Sequence, residues 1–374
     1  MTKSISSSLS PPPQRLQSLD FLRGVVMVIL LLGETNFFGY LAEAFPYPFT
    51  RFLFSQFVHS DWRGLRFWDI LLPAFMFVGG TSMAFSYKKQ QQLDYSLSQY
   101  YWKIIKRSGW LFFWGVMIYA VRKHHFNFEA SNVLVQLAIA TLIASLIIRA
   151  PAWIQLTVSL LCLLIPELLF RFSQVPGFDQ PFTDQHNFGN YVDLLLIKRL
   201  NPGASNTMNA IPSAAHTIWG LMAGQLLLTT KSNRKKFIQL SVSGALAIAA
   251  GLLLDLTEVT PMLKWIASSS FVLVTTGITL IALALCYEWI DVRQHQRNLR
   301  FFTIVGMNSI FIYLFYNFIG FRWMYEYLSI VCSGIFHKVG IPLSIGVLIS
   351  SLVAFAIEWG LCYFLYRKKI FFKL

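Results

Sequence analysis

Apolar segments of membrane-spanning length recur along the whole chain, with short polar connections between them. A transmembrane helix needs about 20 mainly apolar residues, and hydropathy over windows of that size identifies such helices. The pattern predicts an all-α protein, a polytopic integral membrane bundle of about ten helices, with an eleventh as the alternative. The predicted spans are residues 21–40, 68–87, 108–121, 132–148, 152–170, 211–229, 237–254, 265–290, 301–319 and 341–366.

The ends of this pattern set the predicted domain boundaries. The start of the chain, MTKSISSSLSPPPQRLQ, is polar and rich in serine and proline, and the first apolar run continues through Glu34 and Asn36 without a small-residue cleavage site. This is typical of an uncleaved anchor rather than of a signal peptide. We therefore expect a disordered cytoplasmic tail over residues 1–19 and a single transmembrane domain over residues 20–370.

Basic residues indicate the orientation of the bundle. With ten spans and a cytoplasmic N-terminus, 20 of the 31 Lys and Arg residues fall on the cytoplasmic side, as the positive-inside rule predicts. A full span at residues 320–340 would move the basic C-terminus outside, so we expect that segment to lie in the outer interface. Both termini are then cytoplasmic, in a plasma or inner membrane. The net charge of +14 is a topology signal rather than a sign of nucleic-acid binding.

Composition agrees with a membrane protein. The chain is 55% hydrophobic, 16% aromatic and only 13% charged, with a mean hydropathy of +0.54, which is outside the usual mixture of soluble domains. We expect membrane lipids to surround it. The four cysteines lie far apart, mostly inside apolar runs, so they predict neither a disulfide framework nor a metal site, and no metal cofactor is expected.

Charged and polar residues precede the second span in the stretch HSDWRGLRFWD, residues 59–69. The topology places His59 in the outer loop and Asp69 at or just below the outer interface. A carboxylate at membrane depth costs about 2.5–3.5 kcal/mol on insertion scales, so it should face the bundle interior and have a partner. Asp69 is therefore a candidate functional residue. A helix N-cap is the structural alternative, and the two roles are compatible.

Several strings resemble the heparan-α-glucosaminide N-acetyltransferase family. The pattern H-x-x-W-x-G, an aspartate five residues after the glycine, and then PAFMFVGGTS lies at residues 59–82. Further matching strings follow in family order and cover nearly the whole chain. They are RLQSLDFLRG (15–24), GNYVDLLL (189–196), IPSAAHTIWGLMAG (211–224), KWIASSSFVLVTTG (264–277) and GMNSIFIYLF (306–315).

The resemblance implies acyl transfer across a membrane, in which acetyl-CoA is used from the cytoplasmic face and the amine of a terminal glucosamine is acetylated on the far side. His59 matches the family's active-site histidine. The family asparagine near the outer end of the first span aligns with Glu34, and Asn36 follows two residues later. The chain thus departs from the pattern at a position expected to be catalytic, and the loop before His59 is longer than usual.

The chemistry of such a transfer can also be argued from the residues. An amine acceptor is mostly ammonium near neutral pH and must lose a proton to attack a thioester, and a histidine side chain is suited to accept it. Asp61 or Asp69 could hold the ring in the needed tautomer, and Glu34 could bind an ammonium group or act as a second base. If His59 instead took the acetyl group, the route would be covalent. The sequence leaves these routes open, with His59, Glu34, Asn36 and Asp69 as catalytic candidates.

Further candidates lie in the outer loops. Asp61, Trp62 and Asp193 are placed where an amino-sugar acceptor or other glycan would bind. The structural alternatives are an interfacial belt residue for Trp62 and a helix cap for Asp193.

On the inner side, Asp20 and Arg23 are spaced i, i+3 and can pair with each other, or Arg23 can contact the phosphates of CoA. Asn308, the third candidate for cofactor binding, and His216 are polar groups in apolar helices, where hydrogen bonds between helices are the alternative. The spacing of Gly220 and Gly224 predicts close helix packing.

Other functions stay open. The departure at Glu34 and the long outer loop are compatible with O- or N-acylation of another envelope glycan or lipid. A solute transporter is the alternative from another class, because intramembrane polar residues also line transport pathways. Inverted repeats would favour a transporter, but none is evident between the two halves. The oligomeric state is also open, with a homodimer as one option.

Overall fold

The computed structural model describes residues 16–122, 131–200 and 205–372, and the regular structure in these ranges is helical throughout. A 3₁₀ turn spans Thr207–Asn209, and π-helical segments span Tyr287–Val292 and Tyr316–Met324. The α-helices are α1 Gln17–Glu34, α2 Phe37–Ala44, α3 Pro48–Ser55, α4 Phe67–Gln92, α5 Leu97–Arg122, α6 Val133–Leu146, α7 Ala152–Phe172, α8 Phe188–Ile197, α9 Ala210–Leu227, α10 Asn233–Leu256, α11 Ser269–Cys286, α12 Arg300–Met307, α13 Ser309–Phe315, α14 Tyr325–Lys338 and α15 Leu343–Arg367.

Six helices in the described ranges are long and apolar enough to cross a membrane: α4, α5, α7, α10, α15, and α11 with its extension to Val292. Two bent pairs raise the number to eight if each pair is one span. They are α1 with α2, bent by 60°, and α12 with α13 and its continuation to Phe321, bent by 73°. The all-helical prediction is confirmed for the described residues, whereas the predicted count of ten is not confirmed. The other two predicted spans correspond to α6 and α9. Helix α6 has only 14 residues, and the apolar sequence of α9 is interrupted by polar residues such as His216 and Gln225.

The helical domain begins earlier than predicted. Residues 1–15 of the expected tail lie outside the described residues, but α1 begins at Gln17, and Ser18 and Leu19 are buried. The backbone N–H groups of Gln17 and Ser18 donate to the carboxylate of Asp291 at 3.0 and 3.2 Å. Such bonds satisfy amides that the first turn of a helix leaves unpaired. Residues 17–19 therefore belong to the folded domain rather than to the tail.

Small residues let α4 and α9 cross with their backbones in contact. A Cβ added at Gly220 would lie 2.0 Å from the carbonyl oxygen of Phe77, and one at Gly80 would lie 2.0 Å from that of Thr217. Gly224 lies against Thr81 in the same way, at 2.6 Å. This geometry confirms the close packing that the glycine spacing predicted.

The first helix and α4 run antiparallel, which gives the bundle two distinguishable ends. At one end Gly33 packs against the indole of Trp68, just beside Asp69. At the other end Arg23 donates to the hydroxyl of Ser82 at 2.5 Å. Because a helix rises about 1.5 Å per residue, Arg23 lies about 15 Å along α1 from Gly33.

The outward faces of the long helices are apolar. On α10, Leu246 and Leu253 are 66% and 62% exposed, and Leu156 and Leu164 of α7 are also exposed. Apolar surface of this extent is unusual on soluble monomers and marks contact with lipid or protein. Together with the long apolar helices, it identifies an integral membrane protein.

Candidate active site

The first turn of α4 holds Asp69 in a buried position. Asp69 is 1% exposed, and its Oδ2 accepts hydrogen bonds from the backbone N–H groups of Arg66 at 3.0 Å and Ser60 at 3.1 Å. Arg66 immediately precedes the helix, so Asp69 satisfies the cap residue's amide from the third helical position, as in a capping box. Oδ2 of the carboxylate therefore stabilises the start of α4, and Oδ1 contacts side chains.

His59 lies next to that second oxygen. Its Nδ1 is 3.0 Å from Asp69 Oδ1, and its side chain is 47% exposed. The indoles of Trp68 and Trp265 flank the ring, with centroid distances of 6.2 and 5.6 Å. Because Nδ1 is engaged with the buried carboxylate, Nε2 is the nitrogen left to meet a substrate. Of the two aspartates considered from sequence, it is Asp69 that contacts the ring.

Lys264 is a third member of this group and was not singled out from the sequence. Its Nζ lies 3.2 Å from Asp69 Oδ1 and also contacts Nδ1 of His59. Asn209 fixes the backbone here, because its side-chain amide donates to the carbonyl oxygens of Lys264 and Trp265 at 3.2 and 3.0 Å. Burial lowers the pKa of Lys264 to about 8, although the nearby Asp69 carboxylate opposes that shift.

Asp61 and Trp62 lie beside His59 in the same loop. The carboxylate of Asp61 is highly exposed and pairs with Arg66 at 3.5 Å, and its carbonyl oxygen accepts a bond from Trp265 at 3.0 Å. Trp62 donates to the carbonyl oxygen of Phe182 at 2.6 Å. These contacts tie the loop to the segments around residues 182 and 265 and thereby position His59.

Asp193 lies in α8 and bonds the turn before α9. It is 1% exposed, and its Oδ1 accepts a hydrogen bond from the backbone N–H of Thr207 at 2.8 Å. That amide opens the 3₁₀ turn that leads into α9. The capping role considered from sequence therefore accounts for this contact, although the turn that is capped is the 3₁₀ turn rather than a longer helix.

Glu34 and Asn36 lie at the end of α1 that packs against Trp68 through Gly33. Glu34 ends α1 and accepts a hydrogen bond from the hydroxyl of Tyr316. Asn36 is exposed at the bend between α1 and α2 and has a left-handed backbone with φ of 56°. The structure thus places both residues near the same end of α1 as the His59 site, but in a separate set of contacts.

Glu358, a second residue that the sequence did not point to, lies close to the Tyr316 contact. It is fully buried, and its Oε1 accepts a bond from Tyr325 at 2.6 Å, while the Tyr316 and Tyr325 rings are 5.7 Å apart. No partner for its Oε2 is found among the described residues. A lone glutamate within the apolar run of α15 was the available signal, since intramembrane carboxylates are rare.

The three residues predicted to bind the cofactor have structural contacts. Arg23 lies 3.7 Å from Asp20 and bonds Ser82, as the pairing alternative expects. Asn308 sits at the break between α12 and α13, donates to the carbonyl oxygen of Ile370 at 3.3 Å and accepts from the N–H of Phe372 at 3.0 Å. Asn308 therefore fastens the C-terminal segment, rather than bonding between spans.

Two cavities border the contact between His216 and Thr276. The smaller, about 20 Å³, is bordered by Asp69, Lys264 and His216 and is about large enough for one water molecule. The larger, about 650 Å³, is an open groove between α7, α9, α10 and α11, and its lining includes Lys231 and the exposed Leu156 and Leu160. Thr276 borders the larger cavity, and its hydroxyl lies 2.7 Å from Nδ1 of His216. This bond also confirms the interhelical role expected for His216.

A family model described as heparan-alpha-glucosaminide N-acetyltransferase, catalytic, matches residues 15–253. The chain belongs to this family. The matched range includes His59 and Asp69, whereas Lys264, Asn308 and Glu358 lie beyond it. Within the described residues, no three His, Cys, Asp or Glu side chains are grouped so that they could hold a metal ion.

Two curated relatives are similar over almost the whole chain. Heparan-alpha-glucosaminide N-acetyltransferase of Homo sapiens is 24% identical, with 98% of this chain and 61% of the relative covered. The protein of the same name from Mus musculus is 25% identical, with 96% of this chain and 60% of the relative covered. The chain therefore spans about three fifths of the length of these relatives.

Proposed function

We propose that the protein is a membrane acetyltransferase that moves an acetyl group from cytoplasmic acetyl-CoA to the amine of a glucosamine-type sugar on the opposite side. The observation that carries the proposal is the bond between Nδ1 of His59 and the buried Asp69 in a chain of this family. This arrangement orients a half-exposed imidazole whose Nε2 can take a proton from the attacking amine. His59 is then the general base, and Asp69 fixes its orientation.

The larger cavity supports delivery of the donor from the end opposite His59. The larger cavity is mostly apolar and has Lys231 and Gln239 among its lining residues, and Arg234 and Lys235 follow at the start of α10. Basic side chains there suit the phosphates of CoA, and apolar walls suit its acyl arm. In this proposal the pair of His216 and Thr276 separates the donor cavity from the His59 side.

The acceptor side is formed by the loop that carries His59. Trp68 and Trp265 flank the ring, and aromatic faces of this kind suit the apolar face of a sugar. Exposed Asp61 supplies a carboxylate beside them, which can attract an ammonium group. Glu34, at the end of α1 that packs against Trp68, is another carboxylate at this end of the bundle.

An acceptor attached to a lipid is the second candidate, and α3 favours it. This helix lies in the long loop before His59, and Phe49 and Phe52 on it are 73% and 68% exposed, as is Tyr47 just before it at 65%. Exposed aromatic side chains of this kind are typical of segments that lie in the interface of a bilayer. A loop anchored there would keep His59 near the head groups.

The deciding experiment measures thiol release from acetyl-CoA by purified protein with and without glucosamine, and the mass of the product. We expect N-acetylglucosamine from the wild type and none from His59→Ala, whose affinity for CoA should be unchanged. His186→Ala is the matched control, because His186 is also exposed and lies in the segment that Trp62 contacts. Near-normal turnover by His59→Ala would reject the assignment, and product from a lipid-linked amino sugar alone would favour the second candidate.

A further inference from the structure

Three side chains meet at one oxygen of Asp69. His59 Nδ1 is 3.0 Å and Lys264 Nζ is 3.2 Å from Oδ1, and the two nitrogens also contact each other. The other carboxylate oxygen is occupied by backbone amides. His59 Nδ1 therefore faces two partners with different requirements, because an ionised carboxylate only accepts hydrogen bonds and an ammonium group only donates them.

The charge of Lys264 decides which of these partners His59 Nδ1 can use. An ammonium group at Lys264 donates to the lone pair of Nδ1, and the ring proton must then sit on Nε2. A neutral amine at Lys264 lets Nδ1–H donate to Asp69, and the lone pair is then on Nε2. Only the second state presents a base to the exposed side of the ring.

We propose that Lys264 is a positioning residue that sets the tautomer of His59 and receives, through the ring, the proton that His59 takes from the acceptor. The role in transfer rests on the proposed function, whereas the control of the tautomer does not. The side chain acts from a nearly buried position, since it is 11% exposed, against 47% for His59. Lys264 thus reaches the substrate only through the imidazole.

The proton transfers balance over one turnover. As the amine nitrogen bonds to the acetyl carbon, its proton goes to Nε2 and the Nδ1 proton goes to Lys264, which becomes ammonium. When the carbon–sulfur bond breaks, the thiolate takes the proton from Nε2 and Lys264 returns a proton to Nδ1. The net change is one proton moved from nitrogen to sulfur, with both side chains restored.

The surroundings allow both charge states of Lys264. Asp69 is the charged group that faces it from α4, and His216 is the titratable group that lines the same small cavity from α9. Burial lowers the pKa of Lys264 to about 8, so the amine and the ammonium are both populated in mildly alkaline solution. Uncharged residues, among them Gln136 of α6 and Phe271 of α11, also line this cavity. The indole of Trp265 lies against Lys264, and Arg66, which pairs with Asp61, donates to the carbonyl oxygen of His59.

The test follows the carbethoxylation of His59 by diethyl pyrocarbonate against pH, read at His59 by peptide mass spectrometry on the full-length protein in detergent. The reagent needs an accessible unprotonated ring nitrogen, which only the Nε2 lone pair supplies. In the wild type we expect reactivity to rise with a midpoint near pH 8. In Lys264→Met the midpoint should fall clearly below that of the wild type, because no ammonium group is then present to hold the lone pair of Nδ1.

A second variant distinguishes the proposed role of Lys264 from a purely structural one. Lys264→Arg keeps the positive charge and cannot lose its proton in this pH range, so its His59 should stay unreactive to pH 9, well below Lys264→Met. A purely structural role predicts the reverse order, with the charge-keeping variant closer to wild type. The proposal is overturned if Lys264→Met shows the wild-type midpoint, or if His59 reacts as readily in folded Lys264→Arg as in Lys264→Met.

Controls separate local from general effects. Arg63→Met removes a positive charge from the same loop, where Arg63 pairs with Asp255 and Glu258 at 3.4 Å, and its midpoint should match the wild type. Thermal unfolding checks that each variant folds. If Lys264→Arg does not fold, the comparison of Lys264→Met with the wild type decides the test. Absence of acetyl transfer in the wild type would refute the proposed function, but the carbethoxylation profile would still report on the tautomer.

Discussion

Asp69 holds His59 through a 3.0 Å contact that joins the first turn of α4 to the loop before it. The carboxylate is fully buried while the imidazole is about half exposed. A buried acceptor on Nδ1 directs the ring's other nitrogen outward. The same aspartate caps α4, so the orientation of the ring is coupled to the start of a membrane-spanning helix.

Asp69→Asn should lower acetyl transfer by about 10²–10⁴-fold, because an amide can present an NH₂ group to Nδ1 and stabilise the wrong tautomer. Binding of CoA should change little, so the loss appears in kcat. Glu258→Gln is the matched control, since Glu258 is an exposed carboxylate that pairs with Arg63 instead. Equal rates for Asp69→Asn and Glu258→Gln would remove Asp69 from the mechanism.

Thr276→Val should destabilise the bundle, because it leaves the buried Nδ1 of His216 without its 2.7 Å partner. His216 Nε2 is already buried without a partner among the described residues. Loss of a buried hydrogen bond of this type costs about 1–3 kcal/mol, which thermal unfolding in detergent would detect. Thr276→Ser keeps the hydroxyl and should unfold near the wild-type temperature. An unchanged melting temperature for the valine variant would contradict this view of the contact.

Gly220→Ala should be strongly destabilising at the crossing of α4 and α9. The added methyl group would lie 2.0 Å from the carbonyl oxygen of Phe77, so the helices must separate, and overpacking of this kind costs about 1–3 kcal/mol or more. Gly360→Ala on α15 is the control, because nothing lies within 4 Å of a Cβ there. The measurement is the melting temperature and the monodisperse yield of each variant. A tolerated alanine at Gly220 would show that the crossing can relax.

The sequence predicted the parts of the site that are local in the chain. His59 and Asp69 are ten residues apart, and the demand for a partner for an intramembrane carboxylate is enough to suggest their pairing. Lys264 lies 205 residues from His59, and only the packing of α4, α9 and α11 brings it there. The periodicity and spacing of residues in a single sequence do not predict a contact between residues so far apart in the chain.

Hydropathy located the helices better than it counted the spans. Each predicted segment overlaps either one helix or one bent pair of helices. However, α6 is short, and α9 carries His216 and Gln225 and is covered by other helices. A hydropathy window responds to apolar residues whether they face lipid or protein. Hydropathy also does not predict the partners of a buried polar group. Asn308 bonds the backbone of residues 370 and 372, and the sequence alone did not indicate that this segment lies beside it.

The lowered pKa of Lys264 makes stability depend on pH in a defined direction. Its pKa is about 8 in the folded chain against 10.5 in the unfolded one, so between these values the unfolded chain binds more protons and stability rises with pH. The difference corresponds to at most about 3 kcal/mol. The melting temperature of the wild type, relative to that of Lys264→Met, should therefore rise from pH 7 to pH 10. If the difference in melting temperature between the two proteins stays constant or falls as the pH rises, Lys264 is not held as a buried, easily deprotonated amine.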